Sequence, residues 1–121
     1  MTDLGQFSVS LTVKNIRASR EFYQKLGFEV YDDHESENWM IMRNGTTVIG
    51  LFQGMFDQNV LTFNPSDVRD IQRQLIASGL NLDSTADEAT TGPAFITLTD
   101  PDGNPILFDQ HDPNYTPTSK S

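Results

Sequence analysis

Few side chains here could do acid–base, nucleophilic or metal chemistry, and they are poorly spaced for any of these. The two histidines are His34 and His111. Histidine titrates nearest neutral pH and is the commonest metal ligand. His34 stands in an acidic run with Asp32, Asp33, Glu35 and Glu37. Such a run holds carboxylate oxygens suited to calcium but lacks the glycine-turned spacing of a calcium loop, so it reads as a solvated loop. Asp100 and Asp102 belong to Asp-Pro-Asp-Gly-Asn, a sequence in which aspartate serves a turn by bonding its own backbone. Ser8 and Ser10 would act as nucleophiles only with a histidine within hydrogen-bond reach, and neither histidine is placed beside them. With no cysteine, disulfides, a thiol nucleophile and thiolate metal sites are excluded. No G-x-S-x-G elbow and no Walker or dinucleotide-binding glycine pattern occurs. What the residue types favour is binding rather than side-chain catalysis.

The elements that must position these residues repeat. Leu11-Thr12-Val13-Lys14-Asn15-Ile16-Arg17 returns at Leu61–Arg69, offset by 50 at the leucines and by 52 at Ile16 and Val68. Each copy runs on helically to a glycine, Gly27 and Gly79. Each then has a short apolar stretch, Phe28–Val30 and Leu80–Leu82, and later a hairpin signal, Asn44-Gly45 and Asp102-Gly103. Each half therefore reads β-α-β-β-β. Phe7, Val9, Leu11 and Val13 alternate with Ser8, Ser10 and Thr12 along the first strand. Asn15 is expected to cap the first helix, with Ile16, Ser19, Tyr23 and Leu26 as its buried stripe and Phe22 beside it. Ser66 or Asp67 caps the second, whose stripe is Val68, Ile71 and Leu75. Residues 32–38, 83–93 and the Pro-rich tail 111–121 read as loop or extended arm. At 121 residues the chain suits one domain, with module one at about 6–53, module two at about 59–110 and 53–59 as the joint.

SLTVKNIRASREFYQKLGFEV resembles the opening strand, turn and helix of the vicinal-oxygen-chelate superfamily, and TDPDGNPILFD resembles its closing hairpin. That superfamily includes glyoxalase I, bleomycin-resistance proteins and extradiol dioxygenases. The resemblance spans about Phe7–Gln110. It implies an α+β fold in which two βαβββ modules with mixed sheets curl around a cleft, paired across a homodimer.

The resemblance also implies, for most of the family, a divalent metal held by His, Gln or Glu on the first and last strands of each module. Carried over position by position, those places are Ser8, Gly50 (or Leu51), Val60 (or Gln58) and Leu107. Hydroxyl, glycine and aliphatic side chains are not a ligand set, so no metal and no cofactor are expected. The cleft face should be the strand face turned away from the helices. The expected ligand-binding set is therefore Ser8, Ser10, Trp39, Gly50, Phe52, Val60, Thr62 and Leu107, hydroxyls beside aromatics, with no catalytic residue among them. The same residues also read as ordinary half-buried strand positions, and Trp39 as core.

Eight basic against 17 acidic residues give a net charge of −9. That disfavours nucleic acid, whose phosphates need a basic surface, and biases a binding site toward neutral or cationic molecules. No apolar run reaches the ~18 residues of a membrane span, and the N-terminus lacks a signal-peptide pattern; a cytoplasmic protein is the default. The expected function is metal-free small-molecule binding of the bleomycin-resistance type. The alternatives are a metal-dependent glyoxalase-, lyase- or dioxygenase-type enzyme and a non-catalytic accessory subunit. Whether the chain is an enzyme is left open at this stage.

Overall fold

A computed structural model describes residues 3–118. In order the elements are β1 (Gln6–Val13), α1 (Ile16–Lys25), β2 (Glu29–His34), a 3-10 turn (Glu35–Glu37), β3 (Trp39–Asn44), β4 (Thr47–Gln53), β5 (Val60–Asn64), α2 (Val68–Ala77), β6 (Ala94–Thr99) and β7 (Pro105–Gln110). The class is α+β. The chain divides into two compact units. The first comprises Ser8–Val60 and the tail from Thr116; the second comprises Leu61–Tyr115 and the N-terminal residues through Phe7.

In the first unit the strand order is β2-β3-β4-β1, with β1 parallel to β4 and the other pairs antiparallel. The period-two alternation of β1 and β3 sends Leu11, Val13, Met40 and Met42 to one face, where they join Ile49, Leu51 and Ile16 of α1 in the core. Asn15 caps α1 by accepting the Ala18 N–H at 3.1 Å. Ile16 is buried and Tyr23 packs on the core as expected, but Leu26 is 60% exposed. The reason is Gly27, whose φ of 105° turns the chain out of the helix at Leu26 and brings in Phe28 instead.

In the second unit the order is β5-β7-β6, with β5 parallel to β7 and β6 antiparallel to β7. Asp67, not Ser66, is the cap of α2, accepting the Asp70 N–H at 3.2 Å. The Val68, Ile71 and Leu75 stripe is buried against Ile96, Leu98 and Phe108. Asp100 accepts the N–H groups of Asp102 and Asn104 at 2.9 and 2.8 Å, which is the turn role expected of it. Its carboxyl is held below the usual aspartate range mainly by the Asn104 side-chain hydrogen bond.

Three expectations are corrected. Leu80–Leu82 forms no strand; the pairing there shrinks to one bridge between Ser84 and Thr97. The following loop is instead tied to α2 by side chains: Arg69 donates to the Asp87 and Gly92 carbonyls and to the Thr90 hydroxyl, and Gln72 exchanges bonds with the Ala86 backbone. Second, the run beginning at Asp32 is not all loop, because β2 continues through His34 past a bulge between Val30 and Asp32. Third, the tail is not free throughout. Thr118 pairs with β2, its carbonyl accepting the Asp33 N–H at 2.5 Å and its N–H donating to Asp32 Oδ1 at 3.0 Å; residues 119–121 lie outside the described residues. No helix among the described residues is long and apolar enough to cross a membrane.

Candidate functional site

The strand face of the first unit turned away from α1 carries most of the residues picked from sequence. Register places them in three rows across β3, β4 and β1: Arg43, Val48 and Ser8; Ile41, Gly50 and Ser10; Trp39, Phe52 and Thr12. Ser8 and Ser10 are 6% and 3% exposed. The Thr12 hydroxyl donates to the Phe56 carbonyl at 2.8 Å, so it holds the segment after β4.

Gly50 exists for its neighbour's ring. A Cβ there would lie 2.5 Å from Phe52 Cε2 and 3.3 Å from Ile41 Cδ1, so the Phe52 ring lies over the Gly50 backbone in the space a side chain would fill. The Trp39 ring runs parallel to Phe52, with centroids 6.2 Å apart, and His34 stacks on Trp39 at 4.1 Å. A ring inserted between two others needs about 7 Å, twice a van der Waals contact of ~3.5 Å. Trp39 is thus stacked on by His34 and approached by Phe52, and the Phe52 ring in turn meets Phe56 edge-on with centroids 5.1 Å apart.

His34 is fixed from both nitrogens, with Nε2 2.8 Å from Asp32 Oδ1 and Nδ1 3.0 Å from Glu37 Oε1. Desolvation lowers its pKa, but the hydrogen bond to Glu37 and the charge of Asp32 outweigh it, and the net shift is upward. The turn carrying Glu37 is anchored to α1 because Glu35 accepts from Arg17 at 2.9 Å and from Arg20 at 2.7 Å.

In the second unit, Thr62, Leu107 and Thr97 form one row across β5, β7 and β6. Thr62 is buried, and the Thr97 hydroxyl lies 2.6 Å from that of Ser84. Val60, the last residue of the Ser8–Val60 stretch of the first unit, is buried at the start of β5. The positions carried over for a metal, Ser8, Gly50, Val60 and Leu107, all lie in strands, with Ser8 opposite Val48, Gly50 opposite Ser10 and Leu107 opposite Thr62. Their chemistry does not fit the ion. Ser8 offers one weak hydroxyl, Val60 and Leu107 offer carbon, and Gly50 is roofed by a phenyl ring. Gln58 sits in the bend before β5. Among the described residues no three His, Asp or Glu side chains are grouped to hold a metal.

Two side chains on this face that can carry positive charge were not picked from sequence. Arg43 shares its alternation with Trp39 and Ile41, a signal present in the strand pattern itself. Its guanidinium lies 3.8 Å over the Tyr31 ring. His34 joined the face only because β2 outran its apolar stretch.

A family model described as Glyoxalase/Bleomycin resistance protein/Dioxygenase superfamily matches residues 5–108. No curated protein matches this chain. Among solved structures, a superfamily member from Vibrio splendidus is similar at 19% identity with a TM-score of 0.63, covering 86% of this chain and 97% of its own. A structure titled NAD-dependent benzaldehyde dehydrogenase from Legionella pneumophila is similar at 18% identity and TM-score 0.71, covering 88% and 99%. The 2,3-dioxygenase LapB from a Pseudomonas species is similar at 18% identity and TM-score 0.58, covering 92% of this chain and 45% of its own. At such identities these likenesses show the fold alone.

Proposed function

Because the chain belongs to the Glyoxalase/Bleomycin resistance protein/Dioxygenase superfamily, we propose that it is a small-molecule-binding protein that works without a metal. The observation carrying this reading is the donor set at the carried-over positions: a hydroxyl, a glycine under the Phe52 ring, and two aliphatic side chains. Glyoxalase-type isomerisation and extradiol cleavage both polarise substrate oxygen through a metal ion, and among the described residues no three His, Asp or Glu side chains are grouped to hold one. The helix-free face of the first unit instead combines apolar area with a few fixed polar groups, the usual make-up of a ligand site. In this reading Ser8 and Ser10 orient the ligand and Phe52 and the Trp39 edge supply apolar contact.

Two measurements test it together. Elemental analysis of protein purified without chelator is expected to show zinc, nickel, iron and manganese far below stoichiometric. A thermal-shift screen of small molecules is expected to yield binders of about micromolar affinity, a binding energy of about 8 kcal/mol. For such a binder Phe52→Ala should weaken affinity by about fivefold, the worth of ~1 kcal/mol of aromatic contact, and Trp39→Ala by less, since His34 covers one of its faces. A stoichiometric metal, removed by chelator with loss of binding, would overturn the proposal in favour of the metal-dependent enzyme.

The same proposal has two chains pairing as a homodimer. It is supported by Phe22 on α1 and Leu26 at its C-terminal end, 59% and 60% exposed, apolar surface of the kind that marks interaction sites. Light scattering at micromolar concentration should report twice the 13.6 kDa chain mass; a monomer would end this part of the reading. No nucleic-acid or membrane partner belongs to it, and its setting is the cytoplasm.

A further inference from the structure

Arginine is scarce in this chain and four of its five members are accounted for. Arg17 and Arg20 pair with Glu35, Arg73 pairs with Glu88, and Arg69 is spent on the loop after α2. Arg43 is the exception. Its Nε is buried with no hydrogen-bond partner, and no ion pair engages its guanidinium among the described residues. This holds although the chain has 17 carboxylate side chains and although Glu29 is its cross-strand neighbour in register. Arg20 Nε is unpartnered too, but the Arg20 guanidinium already meets a carboxylate at 2.7 Å.

A buried donor left without a partner carries its full desolvation cost, so each one in a native fold calls for an explanation. The guanidinium carbon lies 3.8 Å from the Tyr31 ring centroid, a cation–π contact. A guanidinium is a planar fork whose N–H groups can pair with both oxygens of a carboxylate, which a lysine ammonium cannot do in the same way. Ser8 lies in the same row with Val48 between them, so the two are two strand spacings apart, about 10 Å. That span suits a small molecule with one charged end.

Resting on the binding role proposed above, we propose that Arg43 is the anion receptor of this face. It takes the carboxylate of a small ligand whose apolar body lies over Val48 toward Ser8 and the Phe52 ring. This reverses the bias expected from net charge alone. The overall −9 acts at a distance and is screened over about 8 Å in physiological salt, whereas a paired contact with guanidinium is short-range and directional. The same net charge selects the kind of anion: a planar monocarboxylate matches the fork and is repelled less than a phosphate monoester dianion.

The test offers apolar scaffolds, aliphatic and aromatic, each as carboxylate, primary amide, ammonium and phosphate monoester, with affinities by calorimetry. Carboxylates are expected to bind at least about tenfold more tightly than their own amides. Arg43→Met should abolish that preference while leaving amide affinity within about twofold, and Arg43→Lys should restore only part of it. In the unaltered protein, the Arg43 Nε–H resonance should shift on carboxylate addition and not on amide addition, which reads the contact without a variant. A carboxylate preference surviving Arg43→Met, with that resonance unmoved, overturns the assignment. Tighter binding of phosphate monoesters overturns the choice of anion. Binding of amides or amines with carboxylates silent overturns this inference and leaves the binding reading standing. No binding in any form overturns that reading and takes this one with it.

Discussion

Arg69→Met is expected to cost about 3 kcal/mol of stability and to release the loop between α2 and β6. Arg69 is 5% exposed, on a helix whose neighbouring positions build the core. Its side chain donates to the Asp87 carbonyl at 2.6 Å, the Gly92 carbonyl at 2.9 Å and the Thr90 hydroxyl at 2.5 Å. Hydrogen bonds to a charged donor contribute roughly 1.5–3 kcal/mol each, and their loss strands part-buried carbonyls. Methionine keeps much of the volume, so the lost bonds rather than a cavity set the cost. Urea denaturation gives the total. Amide hydrogen exchange should show the effect concentrated at 87–92 rather than spread over β6 and β7. Arg73→Met is the contrast: that side chain is 56% exposed beside Glu88, and exposed pairs contribute about 0–1 kcal/mol. Equal losses for the two variants would show that Arg69 does not carry the loop.

The second large effect depends on pH. The folded pKa of His34 lies above its ordinary value because Glu37 and Asp32 bind its imidazolium, against the opposing effect of desolvation. A group whose pKa rises on folding contributes stability fully below its unfolded pKa, about 6.5, and loses that contribution as pH rises through the folded value. His34→Gln should therefore cost more stability near pH 5.5 than near pH 8.5. Asp32 is 4% exposed and also accepts the Thr118 N–H, so the tail pairing should loosen in the same direction. The measurement is a pair of urea melts at each pH for both proteins. A cost that is flat or grows toward alkaline pH would contradict the assignment of His34 as a charged partner of Asp32 and Glu37.

Local chemistry was legible from the residues themselves. The alternation in β1, the cap at Asn15, the α2 stripe and the Asp100 turn each depend on contacts within a few residues, and periodicity or side-chain reach decides them. Repetition of one pattern at offsets near 50 gave the doubled β-α-β-β-β reading, and the family resemblance rested on two linear motifs, SLTVKNIRASREFYQKLGFEV and TDPDGNPILFD. Even the face bearing Ser8, Ser10, Trp39 and Phe52 follows from period two, because a strand has only two faces.

What needed the tertiary structure was every feature set by a partner distant in sequence. Leu80–Leu82 looked like Phe28–Val30, but a strand forms only where a neighbour supplies a ladder, and Arg69 and Gln72 on α2 claim the following backbone instead. His34 looked solvated because its neighbours are acidic, yet β3 extends β2 by pairing His34 with Trp39, and the same carboxylates become its ligands. The tail's pairing with β2 spans 86 residues of sequence and leaves no local mark. Arg43 shows the division most plainly. Alternation alone assigns it to the face of Trp39, but its unsatisfied Nε exists only once folding has removed water from that atom and brought no acceptor in return.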